Sequence, residues 1–194
     1  MEGSWMVLAR INDVKKELQQ EARNLSLYYQ DVKGNKSFDP SQFMAIEYWN
    51  KICEGGSINR QEACTMYEYL LNIDHGYRSS DSKKWSFAHP NQVFTFDELH
   101  LRCGMRDEKG PWSSVFKRKF KDKDKQYFQK LMSEGVDLNL PPRIIIDTIH
   151  QVKGGEADNV LLILDNTKTI REALEKSTDK QDEEHRVWYV GVTR

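Results

Sequence analysis

The sequence contains no run of about 18 apolar residues, the minimum an α-helix needs to span a bilayer, and its mean hydropathy is -0.76. A membrane-spanning helix is therefore excluded. The N-terminal stretch MEGSWMVLAR lacks the basic start and long apolar segment of a secretory leader. Cysteine is scarce: Cys53, Cys64 and Cys103 are an odd number and form no CxxC pair. That argues against a disulfide scaffold and leads us to expect a reduced chain, cytoplasmic in the broad sense that includes nucleoid-associated or viral proteins. Neither sign of charge predominates, since 29 Lys+Arg against 30 Asp+Glu leave a net charge of -1. A histone-like polycation is excluded, while local patches remain open. The phosphate-loop pattern G-x-x-x-x-G-K-[ST] is missing, as is a paired acidic Mg2+ motif. No internal repeat or low-complexity tract occurs, and no Ser/His/Asp or Cys/His arrangement points to nucleophilic catalysis. His100 and Cys103 supply only two of the four ligands a zinc site needs.

What is present begins with 11% aromatic residues, which argues against global disorder, and a length of 194 residues, enough for one domain or two small ones. The run Trp5 to Ala9 has the length of a buried strand. Asn12 is the expected N-cap of a helix carrying Val14, Leu18, Ala22 and Leu25, and residues 27–29 form a second expected strand before the turn at 33–36. Between residues 40 and 135 no alternating strand pattern appears. Helical spacing places helices at 40–53, 59–72, 95–102 and 112–132, with a loop at 74–92. Beyond Pro141-Pro142 the runs at 143–148 and 159–165 read as strands buried on both faces, as in a parallel sheet flanked by helices. Helices are expected at 168–176 and 182–194. The pattern is an α/β fold interrupted by a mostly α-helical insertion.

Two stretches stand out. Thr148-Ile-His-Gln-Val-Lys-Gly-Gly-Glu156 lies between the two late strands, and Glu183-Glu-His-Arg-Val-Trp-Tyr-Val-Gly-Val-Thr-Arg194 follows them. In this order they resemble motifs V and VI of the UvrD/Rep-type superfamily 1 DNA helicases, T-x-H-x-x-K-G-L-E and E-E-x-R-L-x-Y-V-A/G-x-T-R. The opening Val7-Leu-Ala-Arg-Ile-Asn12 resembles the V-L-x-R-T-N strand of the same family. The resemblance covers about 5–30 and 143–194 in sequence, and the middle in position only. Gly155 stands where the family usually has Leu, and Ile11 where it has Thr. The insertion is shorter than the 2B subdomain of large members.

The resemblance implies a second RecA-like domain of the P-loop NTPase type, with a parallel sheet. It would be split into residues 1–39 and 140–194 (2A), with a helical 2B-like insertion at 40–139. It implies the C-terminal part of an ATP-dependent DNA helicase that moves on single-stranded DNA, 3′-to-5′, and unwinds duplex. ATP and Mg2+ would be held mainly by an N-terminal RecA-like ATPase domain of the same protein. The expected partners are that domain, single-stranded DNA and duplex junctions, with no membrane. Without a phosphate loop, the chain alone is expected to be inactive as an ATPase. Two alternatives stay open: part of a helicase–nuclease, or a non-motor nucleic-acid-binding module with the same fold.

The resemblance also assigns residues. Arg194 takes the arginine-finger position, neutralising charge on a transferred phosphoryl group; as chemistry alone, it is equally a cation at a helix C-terminus. Glu156 can accept hydrogen bonds from a ribose hydroxyl after the tight turn that Gly154 and Gly155 permit, or it is a surface carboxylate. Arg186 would link the nucleotide and DNA sites. Thr148 and His150 would touch single-stranded DNA at the carboxyl edge of a strand, where ligands of open α/β sheets sit; the alternative for His150 is a structural histidine. Lys153 is suited to a DNA phosphate, a nucleotide phosphate or a neighbouring carboxylate. Tyr189 reads as core, and Arg10 as structural or as a DNA-backbone contact. Residues 102–130 hold ten Lys/Arg against four Asp/Glu. Within them Lys117, Lys119 and Lys121 alternate with aromatics. They form either a DNA-binding surface or a solvated face over a buried aromatic stripe.

Overall fold

The protein is described by a computed structural model covering residues 3–74, 76–78, 83–85, 88–89, 92–152, 154–163, 165 and 168–193, with the side chain of residue 173 left aside. Lys153 and Arg194 lie outside the described residues. In chain order the elements are β1 (Trp5–Ala9), α1 (Asn12–Asn24), β2 (Tyr29–Gln30), α2 (Pro40–Cys53), β3 (Ile58–Asn59), α3 (Arg60–Tyr67), β4 (Val93–Phe94), α4 (Phe96–Arg102), α5 (Trp112–Val115), α6 (Asp122–Ser133), β5 (Ile144–Thr148), β6 (Asn159–Ile163), α7 (Lys168–Lys176) and α8 (Thr178–Val192). The chain divides into two compact units, residues 1–37 with 129–194, and residues 38–128.

In the first unit four strands form one sheet in the order β2-β5-β1-β6, and every pairing is parallel. The fold is α/β, as the apolar runs imply. Alternation along the strands sends Met6 and Leu8 to one face, where they meet Ile149, Val152 and the Val187, Trp188 and Val190 side chains of α8. Val7 and Ile146 face the other way, toward Leu18 and Ala22 of α1. Parallel strands need helices on both faces, and α1 and α8 supply them. The start of β6 is tied to the start of β1: Ser4 N and Oγ donate to Asp158 Oδ2 at 2.7 and 2.8 Å. The backbone bond from Ser4 holds the Asp158 carboxyl below the usual range.

Two details of this unit differ from the sequence reading. Ile11, not Asn12, occupies the N-cap of α1, with extended backbone and no side-chain cap bond. Its side chain has no oxygen to offer the free amides of the first turn. β6 pairs only with β1 among the described residues, and Leu161 is 48% exposed, so this strand is an edge rather than buried on both faces. Continuous hydrophobicity alone does not distinguish the two positions.

The second unit is mainly helical, and its sequence writes its own punctuation. Asp39 caps α2 through Ser41 N, with Pro40 in the first turn. Asn59 with Glu62, and Thr95 with Glu98, form reciprocal capping boxes at α3 and α4. The core is aromatic: Trp49 packs edge-on against Phe96 and Phe116, with ring centroids 5.9 and 6.0 Å apart. β3 and β4 form a two-residue antiparallel pair, too short to leave an alternating signature. The single helix expected at 112–132 is instead α5 and α6. Between them Phe116 forms a bridge to Leu70, and Lys119 adopts a positive φ of 55°. Tertiary pairing of Phe116 overrides local helical spacing there.

Candidate functional site

β1 and β5 are neighbours in register, with Ala9 opposite Thr148. The residues that leave their carboxyl ends are therefore neighbours too, and Ile149 N donates to Ala9 O at 3.0 Å. This brings Arg10 and His150 together. Arg10 Nη1 lies 2.9 Å from His150 Nε2. Arg10 Nε donates to Glu184 Oε1 and Oε2 at 2.9 and 3.1 Å. The pair is sheltered, with 19% of the Arg10 side chain and 7% of the Glu184 side chain exposed.

Glu184 is there because of helical periodicity. Together with Val187, Trp188 and Gly191 it forms a stripe at i, i+3, i+4 and i+7 facing the sheet. Gly191 lets that stripe approach closely, since a Cβ at this position would lie 2.8 Å from Leu162 Cδ1. The same geometry turns Tyr189 outward. At 71% exposure it is a surface side chain, not core as its aromatic character implies. Arg10 makes an ion pair with Glu184 that the sequence reading does not name. The signal for it is a carboxylate in register with an apolar stripe, which requires a buried cation.

A cleft of about 490 Å³ opens beside this cluster, lined by Arg10, His150, Lys180, Glu184, Arg186 and Val187 among others. Across its rim Lys180 Nζ donates to Glu183 at 2.6 Å, holding the Glu183 carboxyl below the usual range. His150 and Arg186 are both exposed and share this cleft. Thr148 closes β5 and is buried at 6%. Glu156, Gly154 and Gly155 do not line the cleft. They form the turn after β5, where Gly155 N donates to Val152 O at 2.9 Å and Gly154 has φ of 86°. Glu156 is exposed and has no hydrogen-bond partner among the described residues. Gly155 has a packing reason of its own: a Cβ there would lie 3.3 Å from Met6 Cε.

A second charged group carries no motif signal in the sequence. Asp147, 1% exposed, sits beneath the same sheet edge. It accepts from Lys15 Nζ at 3.0 Å, Val32 N at 3.1 Å and Thr148 N at 2.7 Å. It holds α1 and the turn after β2 against the end of β5.

In the other unit Lys117, Lys119 and Lys121 are exposed, whereas Trp112, Phe116, Phe120, Tyr127 and Phe128 are buried. The aromatics thus form a packed interior, and the lysines stand on a solvated surface. Lys119 Nζ pairs with Glu68. Among the described residues no group of three or more His, Cys, Asp or Glu side chains could hold a metal ion, and no helix is long and apolar enough to cross a membrane.

No curated protein and no solved structure matches the chain. A family model does, and it spans β5, the motif-V-like turn, β6 and α8 but not β1. Residues 125–194 match the model of the UvrD-like helicase C-terminal domain.

Proposed function

We propose that the chain is the second RecA-like domain, with a reduced 2B-like insertion, of an ATP-dependent DNA helicase that translocates 3′-to-5′ on single-stranded DNA. The observation that carries this reading is the match of residues 125–194 to the UvrD-like helicase C-terminal domain. It is supported by the shared cleft of His150 and Arg186 at the carboxyl edge of a parallel sheet.

In this reading the nucleotide binds chiefly to a partner RecA-like domain and supplies the free energy of phosphoryl transfer. Glu156, exposed and unengaged, fits a carboxylate accepting from a ribose hydroxyl, next to the open backbone at Gly154. Arg194 neutralises phosphoryl charge, and Arg186 links the nucleotide and DNA sites. His150 and Lys153 contact the strand, whereas Thr148, buried at 6%, supports the end of β5 rather than touching DNA. Lys117, Lys119 and Lys121 add contacts made by charge alone, because the neighbouring rings are buried and cannot stack on bases. Mg2+ is assigned to the partner domain.

Purified alone, the chain should not hydrolyse ATP with or without DNA, and robust DNA-stimulated turnover would overturn the division of labour. In a protein that also carries the phosphate-loop domain, Arg194→Ala should lower hydrolysis by a much larger factor than ATP affinity. Equal loss of both would count against the arginine-finger role. For the lysines, the triple variant K117A/K119A/K121A should bind oligothymidylate more weakly. It should also flatten the plot of log affinity against log salt by about 0.7 for each phosphate that is no longer neutralised. An unchanged slope removes these residues from the DNA surface.

A further inference from the structure

We infer that Arg10 is a positioning residue that fixes His150 as the neutral imidazole protonated on Nδ1. The assignment follows from donor chemistry. A guanidinium has five N–H donors and no acceptor. At 2.9 Å between Arg10 Nη1 and His150 Nε2, the ring nitrogen must be the acceptor, so it carries no proton. Arg10 is not free to turn away, because its Nε is bound to both oxygens of the nearly buried Glu184. The other charged groups facing the cleft are Lys180, Glu183 and Arg186. Glu183 is engaged by Lys180 and Glu184 by Arg10.

The consequence is a defined polarity for an exposed side chain. Nδ1–H, with no partner among the described residues, is the one group His150 has left to offer, and it is a donor. Its ligand is therefore a hydrogen-bond acceptor, such as a phosphate oxygen of the strand, rather than a base N–H. This last step rests on the proposed DNA-binding function; the tautomer itself does not. Arg10, Glu184 and His150 then form one unit joining the end of β1, the turn after β5 and α8, so a shift of α8 would be felt at the His150 ring through a single guanidinium.

The test is the side-chain nitrogen spectrum of the chain without DNA, at about pH 8, where an unperturbed histidine is neutral. The His150 signals are assigned by their loss in His150→Gln. Wild-type His150 should show the Nδ1–H pattern. Arg10→Met, which keeps the stem and removes the donors, should move it toward the Nε2–H form that free neutral histidine prefers. An Nε2–H or doubly protonated His150 in the wild type overturns the inference, even if Arg10→Met does not fold. So does an Arg10→Met spectrum identical to wild type. Oligothymidylate is then added. An Nδ1–H signal that shifts supports the donor role. The expected tautomer with a signal unmoved by DNA upholds Arg10 as the positioning residue and counts instead against His150 as a DNA contact.

Discussion

Arg10→Ala is expected to lower the unfolding free energy by about 3–5 kcal/mol, a large part of the roughly 5–15 kcal/mol that holds a typical domain. The reason is what the substitution leaves behind. Glu184 has 7% of its side chain exposed and would lose its Arg10 partner in a poorly hydrated position. Glu184→Ala should cost less, about 1.5–3 kcal/mol, in the range of a hydrogen bond to a charged group. Arg10, with 19% of its side chain exposed, can swing its long stem to bring the guanidinium to water. The double variant R10A/E184A should be less destabilised than the sum of the two, by roughly 1–3 kcal/mol of coupling. Urea denaturation of the four proteins measures all of this. Additive losses would mean that the ion pair contributes no pairwise energy and that each residue acts through packing alone.

This ion pair also marks the boundary of what the sequence makes legible. The three strands whose apolar runs are continuous, β1, β5 and β6, are readable because a parallel sheet buries both faces of its inner strands. The runs do not say which strand is at the edge. Leu161 of β6 is as apolar as Leu8 of β1, yet one is 48% and the other 0% exposed, because strand order depends on long-range pairing. α2 and α4 are readable from their helical spacing. The α5–α6 break is not, because a bridge from Phe116 to Leu70 lies far outside any local window. At the site, the motif order locates His150, Arg186 and the glycine turn. It does not rank them by exposure, and it gives no reason to set Tyr189 outside or to assign Glu184 a role. Helical phase settles both: residues 184, 187, 188 and 191 share the sheet-facing side, and 189 falls opposite. Arg10 is recognisable as a motif position but not as a partner, because its two contacts lie 140 and 174 residues away.

Asp147→Ala is expected to cost about 3 kcal/mol, through a mechanism distinct from that of Arg10. In a strand reading Ile-Ile-Ile-Asp-Thr, a carboxylate interrupts an apolar run, and burial at 1% would be prohibitive without compensation. The compensation is threefold, from the Lys15 ammonium and the Val32 and Thr148 amides. Alanine removes the acceptor for all three at once. Lys15, with 20% of its side chain exposed, can regain water; the amide of buried Thr148 cannot do so as readily, and an unsatisfied buried donor costs about 1–3 kcal/mol. Asp147→Asn retains one carbonyl oxygen and nearly the same volume, so its loss should be smaller, about 1–2 kcal/mol, in the range of a charge-assisted hydrogen bond weakened to a neutral one. The ranking of wild type over Asn over Ala in thermal denaturation is the measurement. Equal losses for Asn and Ala would show that the negative charge, not the hydrogen-bond geometry, holds the sheet edge. The variants also separate support from contact. Asp147 lies two residues before the start of the turn that carries His150, on the inner side of the strand end. Asn should therefore preserve the Arg10–His150 contact and its nitrogen signature. Ala, by freeing the end of β5 from α1 and the turn after β2, should broaden that signature before the domain unfolds.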